Sequence, residues 1–123
     1  MTQLKQSNKA ASGAVVSGKV AENRPELVRV LGRNYYVIYS SLLEGGMVDL
    51  GLTHVEEGIV NIRNGQTSVE EKDTLLHEFI HVVETLMGIG LDERQVTILA
   101  HGLIALFQDN PEFAEYILKK ADT

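Results

Sequence analysis

The first half of the chain, after residue 23, has the hydrophobic pattern of short strands. Residues 27–31 and 35–39 are rich in Val, Ile and Tyr and flank Gly32-Arg33-Asn34, which predicts a hairpin. Residues 47–55 and 59–63 form a second pair, and polar and apolar residues alternate in its second member. This pattern predicts four strands in one small antiparallel or mixed sheet.

The second half of the chain is patterned as three helices. Ser68 and Glu71 match the capping box that begins a helix, which we expect to run to about Met87. Asp92 is suited to cap a second helix, and Pro111 to occupy the first position of a third. Strands followed by helices are typical of the α+β class. The sequence therefore predicts a small sheet followed by three helices.

Composition limits the number of domains and the residue types that could bind a metal. The chain has 123 residues, 44% of them hydrophobic and 23% charged, which fits one globular domain. Residues 1–23 are rich in Ser, Ala, Gly, Gln, Asn and Lys, so we expect a flexible arm there and a folded domain over residues 24–123. Because the chain has no cysteine, any metal must be held by His, Asp or Glu.

Charge is distributed unevenly along the chain. Four cations against one acidic residue give +3 over residues 1–24, and seven against sixteen give −9 over the rest. Such an acidic body repels phosphate backbones, so we expect no nucleic acid partner. The sequence also has neither the apolar segment of a secretory signal nor a run of ~18 apolar residues, so we expect a cytoplasmic protein without a membrane partner.

His77, Glu78 and His81 form an HExxH motif within the first predicted helix. Residues four apart on a helix lie roughly 6 Å apart along the axis and about 40° apart around it, so both imidazoles leave the same face. Glu78 lies about 100° from His77, beyond ligand distance of the same ion but close enough to act on a water molecule beside it. The motif therefore predicts a metal site, with Glu78 as general base.

A catalytic zinc site needs a third protein ligand and one open position. Glu84 and Met87 stand where a metzincin would need Gly and His, which excludes that class. A carboxylate from the second helix remains, and Glu93 is the first choice, although an antiparallel helix would bring Glu93 beside the end of the first helix. His101 is the alternative ligand, eight residues further on and about 80° around the helix. Glu84 lies too far along the axis from His77 and would more readily orient a ligand.

Residues 74–81 and 91–96, Thr-Leu-Leu-His-Glu-Phe-Ile-His and Leu-Asp-Glu-Arg-Gln-Val, resemble the zincin-like metallopeptidases of the ImmA/IrrE type and their stand-alone phage and mobile-element relatives. The resemblance spans roughly residues 35–113. It implies a minimal zincin-like fold in which a small sheet precedes the HExxH active-site helix. The Ala-rich continuation that ends in Met-Pro in this family is replaced here by residues 96–104, and we expect no additional carboxyl-terminal domain.

The same resemblance assigns roles to individual residues. It implies that His77, His81 and Glu93 are zinc ligands and that Glu78 is the general base. The expected function is a zinc-dependent metalloprotease that hydrolyses a peptide bond by metal-activated water. Its expected substrate is a protein or peptide such as a regulatory protein, since ImmA-like relatives act on transcriptional repressors. In a phage-encoded relative the location would be the host cell cytoplasm. Candidate donors to the oxyanion are Tyr35, Tyr36, His54, Arg94 and Tyr116.

Two other functions compete with hydrolysis. In a non-catalytic binding or regulatory protein the metal would stabilise the fold, and a site closed by both Glu93 and His101 would leave no position for water. A di-iron site of the helix-bundle type would need a second E-x-x-H motif, and the sequence contains only the one that ends at His81.

Overall fold

The computed structural model describes residues 23–41 and 50–121. The predicted flexible arm, apart from Asn23, and the predicted beginning of the third strand lie outside the described residues. The described part contains four strands and three helices, which confirms the α+β class. These are β1 (Leu27–Val30), β2 (Arg33–Ser40), β3 (Gly51–His54), β4 (Ile59–Arg63), α1 (Ser68–Met87), α2 (Glu93–Asp109) and α3 (Pro111–Leu118).

The four strands form one mixed sheet in the order β1-β2-β4-β3. β1 and β2 are antiparallel, β2 and β4 are parallel, and β4 and β3 are antiparallel, so β3 lies at one edge. The turn between β1 and β2 consists of Leu31 and Gly32, both with positive φ, at 48° and 84°. The predicted turn at Gly32-Arg33-Asn34 was therefore placed too late, because Arg33 and Asn34 pair with β1.

The core lies between one face of the sheet and α1. Alternate residues of the two central strands are buried, as the period of two predicts, and they pack against Val82 of α1. Burying each of these large apolar side chains contributes roughly 1.5–3 kcal/mol. This packing fixes α1 across the sheet. The buried strand residues are Tyr35, Val37, Val60 and Ile62.

The amino terminus of α1 is capped one residue earlier than predicted. Thr67 accepts a hydrogen bond from the Glu70 backbone N–H, and the Glu70 side chain accepts one from the Thr67 backbone N–H. The predicted box of Ser68 and Glu71 was wrong because both registers fit the sequence, and Glu71 instead lies 3.2 Å from Nε of Arg24. α1 ends at Met87 as predicted, and Gly88, in the left-handed conformation, forms the cap.

The second and third helices begin where the sequence predicts. Asp92 and Gln95 form a reciprocal capping box at the start of α2, and Pro111 occupies the first position of α3. α2 packs on α1 through its buried residues Val96 and Ala100. No helix in the described part of the chain is long and apolar enough to cross a membrane.

Candidate metal centre

α1 presents the two imidazoles of the motif side by side. His77 and His81 lie one helical turn apart, and the centroids of their rings are 5.0 Å apart. Both side chains are about one fifth exposed. They therefore leave the same face of α1, as the spacing of four residues predicts.

Glu93, at the first position of α2, contacts both imidazoles. Its Oε1 lies 2.9 Å from Nε2 of His77, and its Oε2 lies 2.9 Å from Nε2 of His81. Three ligand atoms, one from each residue, lie within 4.8 Å of one another. The structure thus brings together the three residues predicted as ligands.

The connection between α1 and α2 explains how Glu93 reaches the imidazoles. After Gly88 the chain turns back along α1, and the Leu91 N–H donates a 2.5 Å hydrogen bond to Oε1 of Glu84. α2 therefore begins beside His77 and His81 instead of beside the end of α1. This fold-back removes the difficulty that an antiparallel second helix poses for Glu93.

The donor set fits a zinc ion. Zinc accepts imidazole nitrogen and carboxylate oxygen, and ligand atoms around a tetrahedral ion lie roughly 3.3 Å apart. In the structure the Glu93 carboxylate bridges the two rings, with each of its oxygens at a hydrogen-bond distance of 2.9 Å from a different imidazole nitrogen, so the carboxylate has to shift for one ion to reach all three residues. The Glu93 side chain is 74% exposed, so small movements of its carboxylate meet little resistance.

Glu78 lies beside the three candidate ligands and is held by the edge strand. Its side chain is buried, and the Thr53 hydroxyl donates a 2.5 Å hydrogen bond to Oε1. Gly51 packs directly against it, since a Cβ on this glycine would lie 2.8 Å from Cγ of Glu78. β3 therefore fixes the position of the predicted general base.

His81 has a second carboxylate partner on its other ring nitrogen. Oε2 of Glu84 lies 2.9 Å from Nδ1 of His81. Burial acts to lower the pKa of His81, but the hydrogen bond to Glu84 and the charges of Glu93, Glu78 and Glu84 raise it above its ordinary value. The same hydrogen bond from His81, together with the Leu91 N–H, holds the pKa of Glu84 below its ordinary value against the effect of burial. Glu84 thus orients a candidate ligand.

These residues lie in a cleft of about 740 Å³ between β3, α1 and the start of α2. Apart from the candidate ligands and Glu78, the cleft is lined mostly by threonines and aliphatic side chains. Thr53 and Gly51 were missed by sequence reasoning, because a contact between β3 and α1 leaves no local pattern. The lining residues are Leu50, Gly51, Leu52, Thr53, Val55, Asp73, Thr74, His77, Glu78, His81, Thr85, Glu93 and Thr97.

His101 is not in the group of described residues whose ligand atoms lie within 4.8 Å of one another. Its Nδ1 is 2.6 Å from Oδ1 of Asp73, which lies one turn before His77 on α1. His101 therefore pairs with a carboxylate and does not share an ion with His77 and His81.

The five predicted oxyanion donors do not line the cleft either. Tyr35 is fully buried in the core, where its ring packs edge-on against Phe79. The other four, like Tyr35, are not among the described residues that form the cleft wall. These are Tyr36, His54, Arg94 and Tyr116.

Comparison of the chain with protein-family models, with curated proteins and with solved structures gave no significant match. Any function assigned to the site must therefore rest on its own residues and geometry.

Proposed function

We propose that this protein is a zinc-dependent metallopeptidase that hydrolyses a peptide bond in a protein or peptide substrate. The observation that carries the proposal is the Glu93 carboxylate, whose two oxygens each lie 2.9 Å from one imidazole of the HExxH pair. Two imidazoles, a carboxylate from a second helix and an adjacent buried Glu78 are the parts that zinc peptidases of the HExxH class require.

Each residue has a definite role in the proposed hydrolysis. His77, His81 and Glu93 would hold the zinc ion, which when bound supplies a Lewis acid that polarises the substrate carbonyl and lowers the pKa of water. Oε1 of Glu78 accepts the hydrogen bond of the Thr53 hydroxyl, which leaves Oε2 as the oxygen that would take a proton from the attacking water. Glu78 then delivers that proton to the leaving nitrogen as the carbon–nitrogen bond breaks.

The cleft supports a peptide substrate. It has a volume of about 740 Å³, is open at its surface, and is bordered by β3, the outermost strand of the sheet in the described part of the chain. An edge strand offers backbone N–H and C=O groups that can pair with an extended peptide. A peptide segment bound along β3 would pass over Glu78 and the candidate ligands.

The placement of His101 supports a catalytic site over a purely structural one. A site closed by both Glu93 and His101 would have favoured the binding-protein alternative. His101 instead contacts Asp73, so the candidate ligands among the described residues are His77, His81 and Glu93, which would leave one position of a tetrahedral ion for water. A regulatory protein that retains the metal without turnover stays the second candidate, and the same experiment separates the two.

The decisive experiment compares wild-type protein with a Glu78→Gln variant. Both are reconstituted with zinc, assayed for metal by elemental analysis, and incubated with a peptide library whose cleavage is read by mass spectrometry. We expect one zinc per chain in both proteins and cleavage by wild type alone. Equal turnover in the variant would contradict the role of Glu78, and zinc binding with no cleavage by wild type would favour the binding-protein alternative.

A further inference from the structure

One stripe of α1 forms the floor of the cleft. Asp73, His77, His81 and Thr85 follow one another at intervals of four residues, and all four line the cleft. Residues at this spacing lie one above the other on a helix, so the stripe spans about 18 Å along the axis, with the two imidazoles in its middle. The cleft therefore continues past the candidate ligands at both ends, towards Asp73 at one end and towards Thr85 at the other.

The two ends of the cleft differ in charge. Three carboxylates line the cleft, those of Asp73, Glu78 and Glu93, and no lysine or arginine is among its described lining residues. With zinc bound, the two positive charges of the ion would offset the charges of Glu78 and Glu93. The charge of Asp73 is then left over at its own end. At the opposite end, the lining residues Val55 and Thr85 are uncharged.

His101 orients the Asp73 carboxylate. Nδ1 of His101 lies 2.6 Å from Oδ1 of Asp73, and the Asp73 side chain is 28% exposed. Oδ2 has no hydrogen bond to the described residues, which leaves it as the oxygen that would meet a ligand. A carboxylate that is oriented by one partner and partly exposed is suited to bind a cationic group through a charge-assisted hydrogen bond.

β3 runs in the same direction as α1. A Cβ on Gly51 would lie 2.9 Å from Cγ2 of Thr74, and the hydroxyl of Thr53, two residues later, contacts Oε1 of Glu78. β3 is also antiparallel to β4, and α1 returns across the sheet after a short connection from β4. The start of β3 therefore lies beside the Asp73 end of the cleft.

The direction of β3 decides which part of a bound peptide meets Asp73. Antiparallel pairing is slightly more stable per residue than parallel pairing, so a peptide bound along β3 would run against it. The carboxyl-terminal part of the peptide then lies at the start of β3, near Asp73. Asp73 is about 9 Å along α1 from the midpoint between His77 and His81, a length that an extended peptide covers in roughly three residues.

We propose that Asp73 selects a lysine or arginine side chain in the substrate, within the first three residues on the carboxyl-terminal side of the cleaved bond. The proposal rests on the peptidase function proposed above, since it places that bond at the candidate ligands. The cation of the substrate side chain would pair with Oδ2 of Asp73, while His101 keeps the carboxylate in position. An acidic side chain in the same place would be repelled, which adds to the discrimination. Asp73 is thus a specificity-determining residue, and His101 is a positioning residue.

Cleavage profiling with a random peptide library tests this selectivity. For zinc-loaded wild type we expect lysine and arginine to be enriched within three residues after the cleaved bond, and aspartate and glutamate to be depleted. Asp73→Asn keeps an acceptor for His101 but removes the charge, so the enrichment should fall about fivefold, the most that an exposed ion pair is worth. Asp109→Asn is the matched control, because Asp109 is an exposed residue at the end of α2 outside the cleft wall. It should leave the profile unchanged.

Two further variants separate the charge of Asp73 from its positioning. Asp73→Lys should invert the preference towards acidic side chains. His101→Ala leaves the carboxylate charged and should weaken the preference for basic side chains without abolishing it. Raising the salt concentration should also weaken this preference in wild type, because the pair is partly exposed.

A binding measurement separates the role of Asp73 from the proposed hydrolysis. Zinc-loaded Glu78→Gln protein, with and without Asp73→Asn, is titrated with labelled neutral peptides that each carry one lysine at a different position, and with their glutamine counterparts. Fluorescence anisotropy gives the dissociation constants. We expect the best lysine peptide to bind about fivefold more tightly than its counterpart, and only when Asp73 is present.

The outcomes of the two measurements are distinguishable. A lysine preference that depends on Asp73, without cleavage of any peptide by wild type, would support the contact with Asp73 and reject the hydrolysis. Cleavage without basic enrichment, or with the same enrichment in Asp73→Asn, would overturn the role of Asp73 and leave the hydrolysis standing. Enrichment confined to the amino-terminal side of the cleaved bond would overturn the assigned direction of the peptide. No cleavage together with equal binding of lysine and glutamine peptides would overturn both proposals.

Discussion

The Glu84 side chain links His81 to the connection between α1 and α2, which places Glu93 beside the imidazoles. One oxygen of its carboxylate lies 2.9 Å from Nδ1 of His81, and the other accepts a hydrogen bond from the Leu91 N–H. With a proton on Nδ1, the Nε2 lone pair of His81 is directed at the position between the candidate ligands. A single side chain thus orients one ligand and holds the segment that positions another.

Replacing Glu84 with Gln should weaken zinc binding. The amide has a single acceptor oxygen, so it can accept from Nδ1 of His81 or from the Leu91 N–H but not from both, and its NH2 group meets the other donor. Either the imidazole or the start of α2 therefore loses its orientation. We expect zinc affinity to fall about 10- to 100-fold, as is typical for partners of this kind. Competition with a chromophoric chelator measures the change. The control is Glu57→Gln, an exposed residue of the β3–β4 turn, and equal affinities in the two variants would contradict the role assigned to Glu84.

The choice of third ligand can be tested with two substitutions on α2. Glu93→Gln removes the charged carboxylate between the imidazoles and should reduce zinc content well below one equivalent. His101→Ala removes a side chain that contacts Asp73 and should leave zinc content unchanged. Elemental analysis after dialysis against a weak chelator provides the measurement. Loss of zinc in His101→Ala but not in Glu93→Gln would reverse the assignment.

The parts of the site that the sequence predicts are those set by local geometry. His77 and His81 share a face because four residues complete about one helical turn, and no long-range contact is needed for that. The start of α2 at Glu93 follows from the capping preference of Asp92, which is also local. The capping box of α1 was misplaced by one residue because Thr67 with Glu70 and Ser68 with Glu71 both satisfy the same pattern, and in the structure Glu71 pairs with Arg24 instead.

The parts that the sequence could not supply depend on contacts between distant segments. The parallel pairing of β2 with β4 places β3 at the sheet edge. Nothing in the sequences of β2 and β4 indicates this strand order. Thr53 and Glu78 are 25 residues apart and meet only because β3 lies against α1. The Asp73–His101 contact likewise depends on how α2 packs. The spacing between Glu93 and His101 in the sequence therefore could not exclude His101 as a metal ligand.

Gly51 should be intolerant of even a methyl group. A Cβ at this position would lie 2.8 Å from Cγ of Glu78 and 2.9 Å from Cγ2 of Thr74, so the Glu78 side chain or β3 must shift. We expect Gly51→Ala to lower thermal stability and to abolish most of the proposed hydrolysis while zinc still binds. Gly90→Ala is the control, because a Cβ there meets nothing within 4 Å in the described part of the chain. Full activity in Gly51→Ala would show that the position of Glu78 is not critical.

We expect the hydroxyl group of Thr53 to be needed for full hydrolytic activity. Thr53→Val keeps the shape of the side chain but removes the donor to Glu78, leaving a buried carboxylate oxygen without that partner. We expect kcat to fall about tenfold or more with zinc content unchanged, and Thr53→Ser to retain most of the activity. Steady-state kinetics on one cleaved peptide tests both variants. A Val variant as active as the Ser variant would assign Thr53 to packing alone.

The His81–Glu84 pair should give the metal-free protein a characteristic dependence of stability on pH. Because the pKa of Glu84 is lowered on folding, Glu84 stabilises the folded protein above the ordinary carboxyl pKa. This stabilisation is lost as the pH falls through the lowered pKa. Because the pKa of His81 is raised on folding, His81 stabilises the folded protein below the ordinary imidazole pKa. This stabilisation is lost as the pH rises through the raised pKa. The pair therefore stabilises the protein most between these ordinary values, about 4.5 and 6.5.

Urea unfolding of EDTA-treated protein at a series of pH values measures this dependence. The free energy of unfolding should decline above neutral pH in wild type, and the decline should be smaller in Glu84→Gln, where the hydrogen-bonded charge partner is absent. Zinc affinity should change with pH in the opposite direction, since an imidazole must lose its proton to bind the ion and the raised pKa of His81 opposes that loss. Two results would contradict this prediction: a metal-free protein that becomes steadily more stable from pH 6 to pH 8, or a Glu84→Gln variant that follows the wild-type profile. In either case the His81–Glu84 pair would not be the cause of the pH dependence of stability.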